Sequence, residues 1–254
     1  AYEISTRDWS SDVCSSDLLA PGRIDLGVGR APGSDMRTAL ALNPNAQHAA
    51  EQFPQQIVDL LAWLAGQRHQ GVWAHPRPAE GAALPELWVL GSSDYGAQLA
   101  AHLGLPYAFA YFFMDGQGVE QALSMYRSLY RPSARHARPQ ATICVWALVA
   151  DTDDEARFHA APRERWRLDR QRGLLGPLKT PEAVASAGFT AEEWPQVVAL
   201  RARAFVGTAA RVGQQLRALA AELQLDELVV NTWAHDPEVR RRSYALLARE
   251  FDLG

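Results

Sequence analysis

The stretch LWVLGSSDYGAQLAAHLGL, residues 87–105, predicts a strand, a small turn and a helix in immediate succession. Its first four residues are all apolar and lie between Pro85 and Gly91, which is typical of a strand buried on both faces. The helix that follows carries leucines and alanines suited to packing against a sheet, and it ends at Gly104. A buried strand followed by a short packed helix is half of a βαβ unit, so we expect an α/β protein.

The turn between this strand and helix has two interpretations. Gly91, Ser92 and Ser93 have little side-chain bulk, and the first backbone N–H groups of the helix face the turn, which favours binding of an anion. A plain helix cap by Ser92, Ser93 or Asp94 explains the same residues. Asp94 counts against the anion, because a carboxylate at this position repels phosphate. The turn alone leaves both interpretations open.

The composition excludes few functions. The chain has 254 residues, 48% hydrophobic and 21% charged, and a net charge of -4 that predicts no general attraction to nucleic acid or anionic membranes. No apolar run reaches the roughly 18 residues of a membrane span. The two cysteines, Cys14 and Cys144, form neither a metal cluster nor a disulfide framework, so we expect a cytoplasmic protein without a metal site.

The first 18 residues, AYEISTRDWSSDVCSSDL, differ from the rest of the chain. Ser-Ser-Asp occurs in them twice, and they show neither helical nor strand periodicity. They resemble translated sequencing-adapter text. We therefore expect residues 1–18 to be non-native or disordered, and residues 19–254 to form the folded domain.

Strands and helices alternate through residues 19–254. The pattern predicts five strands, at residues 24–28, 87–90, 107–113, 141–150 and 228–230, and later helices that include two at residues 190–206 and 208–223. Mostly apolar strands alternating with helices form a parallel sheet that the helices cover. A closed (β/α)8 TIM barrel needs eight such units. Five units predict an incomplete barrel, containing strands four to eight, of a chain truncated at its N-terminus.

Several motifs resemble the luciferase-like flavin-dependent monooxygenases, in particular a single-component bacterial group in which one barrel strand ends in GRAPG and the next in LGSS. The resemblance covers nearly all of residues 19–251 in collinear order. It is carried by PGRIDLGVGRAPGSD (21–35), LWVLGSSDYGAQLAAHLGLPYAFAYFF (87–113), ALSMYRSLYRPS (122–133), VGTAARVGQQLRALAAEL (206–223) and DELVV (226–230). It implies a (β/α)8 barrel and oxidation of a small organic substrate by molecular oxygen through reduced FMN. It also implies an NAD(P)H:flavin reductase as partner and a homodimer.

The resemblance also implies a set of cofactor-binding residues. Arg30, next to Gly29, matches the phosphate-binding arginine at the end of strand four, and Gly91, Ser92 and Ser93 match the strand-five turn that holds the same phosphate. A guanidinium donates paired charge-assisted hydrogen bonds to phosphate, and a helix N-terminus completes the shell. Taken alone, Arg30 is better explained as a surface or salt-bridge residue. The family's catalytic histidine lies in its first strands, so no catalytic residue is assigned.

Two alternatives remain open. Gly27, Gly29 and Gly33 approximate the dinucleotide fingerprint of a nicotinamide-dependent Rossmann-type oxidoreductase, but the spacing is one residue too long and Pro32 sits where the helix should begin. The second alternative is a non-catalytic binding protein that keeps the barrel scaffold. Binding of FMN separates the flavin enzyme from both.

Histidines and aromatic residues add little. None of the seven histidines pairs at metal-ligand spacing, and we expect His235 at the rim of a pocket. Aromatic residues at every second position of the third strand are more typical of a core than of a cofactor site: Tyr107, Phe109, Tyr111 and Phe113.

Overall fold

The computed structural model describes residues 22–31, 35–73, 84–225 and 227–253. The expectations for residues 1–18, and for Pro32 and Gly33, therefore lie outside the described residues. The chain divides into two compact units, of which unit 1 comprises Ala1–Phe109 and Gln121–Gln140 and unit 2 comprises Ala110–Glu120 and Ala141–Gly254.

Strands and helices alternate, as predicted. The described strands are β1 (Asp25–Gly29), β2 (Glu86–Gly91), β3 (Tyr107–Phe109), β4 (Ala141–Ala150), β5 (Phe205–Thr208) and β6 (Glu227–Asn231). The described helices are α1 (Met36–Leu42), α2 (Ala46–Glu51), α3 (Phe53–Leu64), α4 (Asp94–Leu103), α5 (Tyr111–Met114), α6 (Val119–Leu129), α7 (Asp153–Gln171), α8 (Pro181–Ala187), α9 (Trp194–Ala202), α10 (Ala209–Glu222) and α11 (Pro237–Glu250).

Unit 1 contains the strand–turn–helix segment predicted first. β1 pairs with β2 and β2 with β3, all parallel, which confirms the predicted parallel α/β arrangement in this unit. Leu87 and Val89 of β2 are fully buried. α4 ends at Gly104 in the left-handed conformation, as the sequence predicted, and the N–H of Gly104 bonds the last turn of the helix.

The third strand is shorter than predicted. Tyr107 and Phe109 are buried in the core, as the alternation of aromatic residues predicted, but the strand ends at Phe109 and α5 begins at Tyr111. Asp115 and Gly116, both with positive φ, end this short helix. Phe113 is 47% exposed, so the alternation does not continue into buried positions.

Unit 2 is built on β4, which pairs parallel with β6 along residues 142–146 and with β5 along residues 147–150. β5 corrects the prediction of a helix over residues 190–206. Gly207 has a φ of 155°, which no helix contains, and the N–H of Thr208 donates to Asp153 at 3.0 Å. The described residues therefore contain six strands where the sequence predicted five. α8 likewise lies inside residues 173–189, which were expected to be a loop.

A buried carboxylate joins α7 to the start of α9 in unit 2. Glu193, whose side chain is 3% exposed, accepts two hydrogen bonds from Arg165 at 2.7 and 2.8 Å and one from Arg172 at 2.8 Å. The backbone N–H of Thr190 donates to it at 2.9 Å. These donors, Arg165 first, lower the pKa of Glu193 to about 2.

We predict that the contribution of Glu193 to the free energy of unfolding depends on pH. Because its pKa is depressed in the folded state, its stabilising contribution is present above the ordinary value of 4.5 and is lost as the pH falls towards 2. Urea unfolding of Glu193→Gln should therefore show lower stability than the wild type at pH 7 and a smaller difference near pH 2. Glu192→Gln, an exposed neighbour, is the matched control and should follow the wild type. A stability difference that stays the same from pH 7 to pH 2 would contradict the prediction.

Candidate functional site

The predicted cofactor residues lie at one edge of the unit 1 sheet. β1 and β2 are parallel neighbours, and Gly29 stands opposite Leu90 in the register. Both strands therefore end at the same edge, with Arg30 directly after β1 and Ser92 directly after β2. Ligand sites of parallel α/β proteins form at this carboxyl edge.

The N-terminus of α4 has no side-chain cap. Ser93 occupies the N-cap position in an extended conformation, yet its side chain forms no capping hydrogen bond, so the predicted cap role is wrong for its hydroxyl. Caps elsewhere do form, since Thr152 and Thr180 each accept from a backbone N–H three residues later. Ser92 and Ser93 are exposed. The first turn of α4 thus keeps N–H donors, and two hydroxyls, for an external acceptor.

The carboxylate of Asp94 does not fill this helix end. It accepts a hydrogen bond of 2.7 Å from the side-chain amide of Gln121 on α6. The carboxylate is therefore engaged by a neighbouring helix instead of capping the first turn of α4. Because the amide is neutral, this contact does not offset the repulsion between the Asp94 carboxylate and an anion.

Arg30 lies over the first turn of α4. Its guanidinium carbon is 3.9 Å from the centroid of the Tyr95 ring, and Tyr95 is the second residue of the helix. This cation–π contact brings the residue that follows β1 to the helix that follows β2. The structure thus brings together Arg30 and the Gly91–Ser92–Ser93 turn, the two parts that the sequence assigned to one phosphate.

An apolar surface adjoins this helix end. Leu90 is 43% exposed although it lies within β2. Its side chain covers Gly27 so closely that a Cβ at Gly27 would lie 2.9 Å from Leu90 Cδ1. Gly29, one of the predicted cofactor residues, is exposed on the same side of β1. A helix end with open N–H donors, together with an exposed leucine on the preceding strand, suits a ligand with both a phosphate and a planar ring system.

Tyr107 on β3 packs against the turn between β2 and α4. Its hydroxyl donates to the backbone oxygen of Ser93 at 3.3 Å, and its ring packs so tightly that Cβ atoms at Gly91 and Gly96 would lie 3.5 and 3.3 Å from its Cε2. Burial raises the pKa of Tyr107 well above its usual value, so the phenol stays protonated and can donate. Sequence analysis placed Tyr107 only in the core and missed Tyr95 and Gln121. The presence of an aromatic residue in the first turn behind a predicted anion site was the available signal for Tyr95.

Unit 2 holds a second charged cluster that the sequence did not reveal. Arg163 is 5% exposed and stacks on Trp146, with its guanidinium carbon 4.1 Å from the ring centroid. It donates to the backbone oxygen of Phe112 at 3.3 Å, while Arg167 pairs with Asp115 at 2.8 Å. Burial lowers the pKa of Arg163 to about 10, which leaves it protonated at neutral pH. These contacts hold α5 against α7.

His235, metal-ligand clusters and membrane-spanning helices were also considered from the sequence. His235 is exposed, and its Nδ1 lies 3.0 Å from the backbone oxygen of Leu178, a contact that does not test the predicted rim position. Across the described ranges, no cluster of three or more His, Cys, Asp or Glu side chains suits a metal ion. Within the same ranges, every helix is too short or too polar to cross a bilayer.

Comparison with known proteins supports the family resemblance. The chain is 37% identical over 230 residues to a luciferase-like monooxygenase of Escherichia coli strain K12, a match that covers 91% of this chain and 68% of that protein. The crystal structure of apo-MsnO8 is similar with a TM-score of 0.84 and 31% identity, over 99% of this chain and 75% of that one. The oxygenating constituent of 3,6-diketocamphane monooxygenase from the CAM plasmid of Pseudomonas putida, in complex with FMN, shares the fold with a TM-score of 0.59 and 16% identity, over 98% and 76% of the two chains.

We predict that the Ser93 hydroxyl does not contribute to stability. Because it caps nothing, Ser93→Ala should change the free energy of unfolding by less than about 0.5 kcal/mol. Thr180→Ala is the matched control, since its hydroxyl accepts from the N–H of Ala183 and its loss should cost about 1 kcal/mol. Urea unfolding measures both. An equal loss in the two variants would show that Ser93 is a structural cap.

The match to a family model agrees with these pairwise similarities. The model of the luciferase-like monooxygenases matches residues 11–227, which is most of the chain. β1, β2 and the polar carboxyl edge described above fall within that match. The chain therefore belongs to the luciferase-like monooxygenase family.

Proposed function

We propose that this protein is an FMN-dependent monooxygenase that oxidises a small organic substrate with molecular oxygen. The proposal assigns the phosphate of FMN to Arg30, Gly91, Ser92 and Ser93, with Gly29 beside them. Family membership supports a flavin-dependent monooxygenase, whereas the choice of FMN and of these residues is our inference.

The open N-terminus of α4 beneath Arg30 is the observation that carries the proposal. Ser93 leaves the helix end uncapped, and Arg30 is stacked on the same first turn through Tyr95. A phosphate bound there would receive paired hydrogen bonds from the guanidinium, hydroxyl donors from the serines and backbone N–H donors aligned with the helix dipole. The residues present therefore fit a phosphate group.

The surface around the helix end favours FMN over phosphate alone. Leu90, exposed over Gly27, offers apolar contact to a ring system. Bound FMN, when reduced, would supply the electrons for activation of oxygen. The residues of this chain bind the phosphate, orient the cofactor and cover part of it from water.

The rest of the proposed function follows the family resemblance. Reduced flavin would come from a separate NAD(P)H:flavin reductase in the cytoplasm, and the enzyme would act as a homodimer built on a (β/α)8 barrel. No catalytic side chain is assigned. The match to the family model favours this function over a nicotinamide-binding Rossmann enzyme.

We predict that the double variant Arg30→Ala with Ser92→Ala discriminates between ligands with and without phosphate. Loss of the charge-assisted bonds should weaken FMN by about a hundredfold, a few kcal/mol, while riboflavin, which lacks the phosphate, should bind unchanged. Flavin fluorescence titration of the purified protein measures both affinities.

The control for this experiment is Arg23→Ala. Arg23 is exposed just before β1, at the opposite end of the strand from Arg30, and its removal changes the net charge equally. It should leave both affinities at their wild-type values. Equal weakening of FMN and riboflavin in the Arg30 double variant would argue against a phosphate site at Arg30.

A further inference from the structure

We infer that Tyr95 is a positioning residue that holds Arg30 ready for the phosphate. The inference rests on the proposed function, because it assumes that Arg30 meets a phosphate. It goes beyond that function by assigning a role to a residue that does not itself contact the phosphate. The carrying observation is the distance of 3.9 Å between the guanidinium carbon and the ring centroid of Tyr95.

Arg30 needs such a partner because of where it lies. It is exposed, it directly follows β1, and among the described residues it forms no ion pair with a carboxylate. A free arginine side chain samples many rotamers, and ordering it when a ligand binds costs conformational entropy. A contact that orders the side chain beforehand removes part of that cost from binding.

An aromatic ring is suited to this task because of the shape of the guanidinium. The ring holds the flat face of the group, whereas the N–H donors point outwards in the plane and stay available. A carboxylate partner would instead occupy those donors and compete with phosphate. Stacking on Tyr95 therefore orders Arg30 without using the atoms that a phosphate needs.

Tyr95 is itself held in a fixed place. It lies in the first turn of α4 between Asp94, which Gln121 binds, and Gly96, which packs on the ring of Tyr107. The hydroxyl of Tyr107 also bonds the backbone oxygen of Ser93. The same contacts therefore fix the open helix end and the backbone on either side of Tyr95, from which the ring under Arg30 projects.

The test compares FMN with riboflavin in variants of Tyr95. Tyr95→Leu removes the ring and should weaken FMN about three- to fivefold, the worth of an exposed cation–π contact, without changing the affinity for riboflavin. Tyr95→Phe keeps the ring and should restore the affinity for FMN. In a protein that already carries Arg30→Ala, Tyr95→Leu should have no further effect on FMN.

The outcomes separate the inference from the function on which it rests. If Arg30→Ala selectively weakens FMN but Tyr95→Leu does not, the positioning role is overturned while the phosphate site stands. If Tyr95→Leu weakens FMN and riboflavin equally, or acts equally without Arg30, its role is structural and the inference is overturned. If Arg30→Ala leaves the ratio of the two affinities unchanged, the phosphate site itself fails. Should Tyr95→Leu fold poorly, Tyr95→Gln takes its place, with the same expected and contradicting results.

Discussion

The parallel pairing of β1 with β2 is the constraint on which the site depends. It places Gly29 opposite Leu90, so that Arg30 and Ser92 leave the sheet at the same edge although 62 positions separate them in the chain. A shift of register would move Arg30 along the edge, away from the first turn of α4 and from the ring of Tyr95. Tyr107 of β3 then fixes the turn from below through Gly91, Gly96 and the backbone of Ser93.

Two features make this edge suitable for binding an anion. The helix end is left uncapped even though a serine occupies the N-cap position, and the nearby arginine is held by an aromatic face instead of a carboxylate. Each feature leaves exposed hydrogen-bond donors that no protein acceptor occupies, so an external anion can take them. Exposed Leu90 beside them adds apolar contact. The combination suits an amphiphilic ligand that carries a phosphate, and family membership makes a flavin the natural candidate.

Sequence alone predicted the features that local patterns determine. The strand at residues 87–90, the end of α4 at Gly104 and the alternation of strands and helices all follow from apolar periodicity and turn chemistry. The expectation that this strand is buried on both faces was wrong, because Leu90 is 43% exposed. β5 was missed because four residues beside two helices give little periodicity, and only pairing with β4 makes them a strand. The contact between Arg30 and Tyr95 was likewise beyond prediction, since it joins two distant segments through the register. The sequence left Ser93 open between a cap and an anion ligand, because residue preference alone does not reveal whether a hydroxyl bonds its own helix.

A crystal structure of the protein with bound FMN tests the central claim most directly. The phosphate should lie within hydrogen-bond distance of the Arg30 guanidinium, the hydroxyls of Ser92 and Ser93 and the first backbone N–H groups of α4, with Arg30 still stacked on Tyr95. FMN bound with its phosphate elsewhere in the protein, and Arg30 in contact with solvent alone, would contradict the claim.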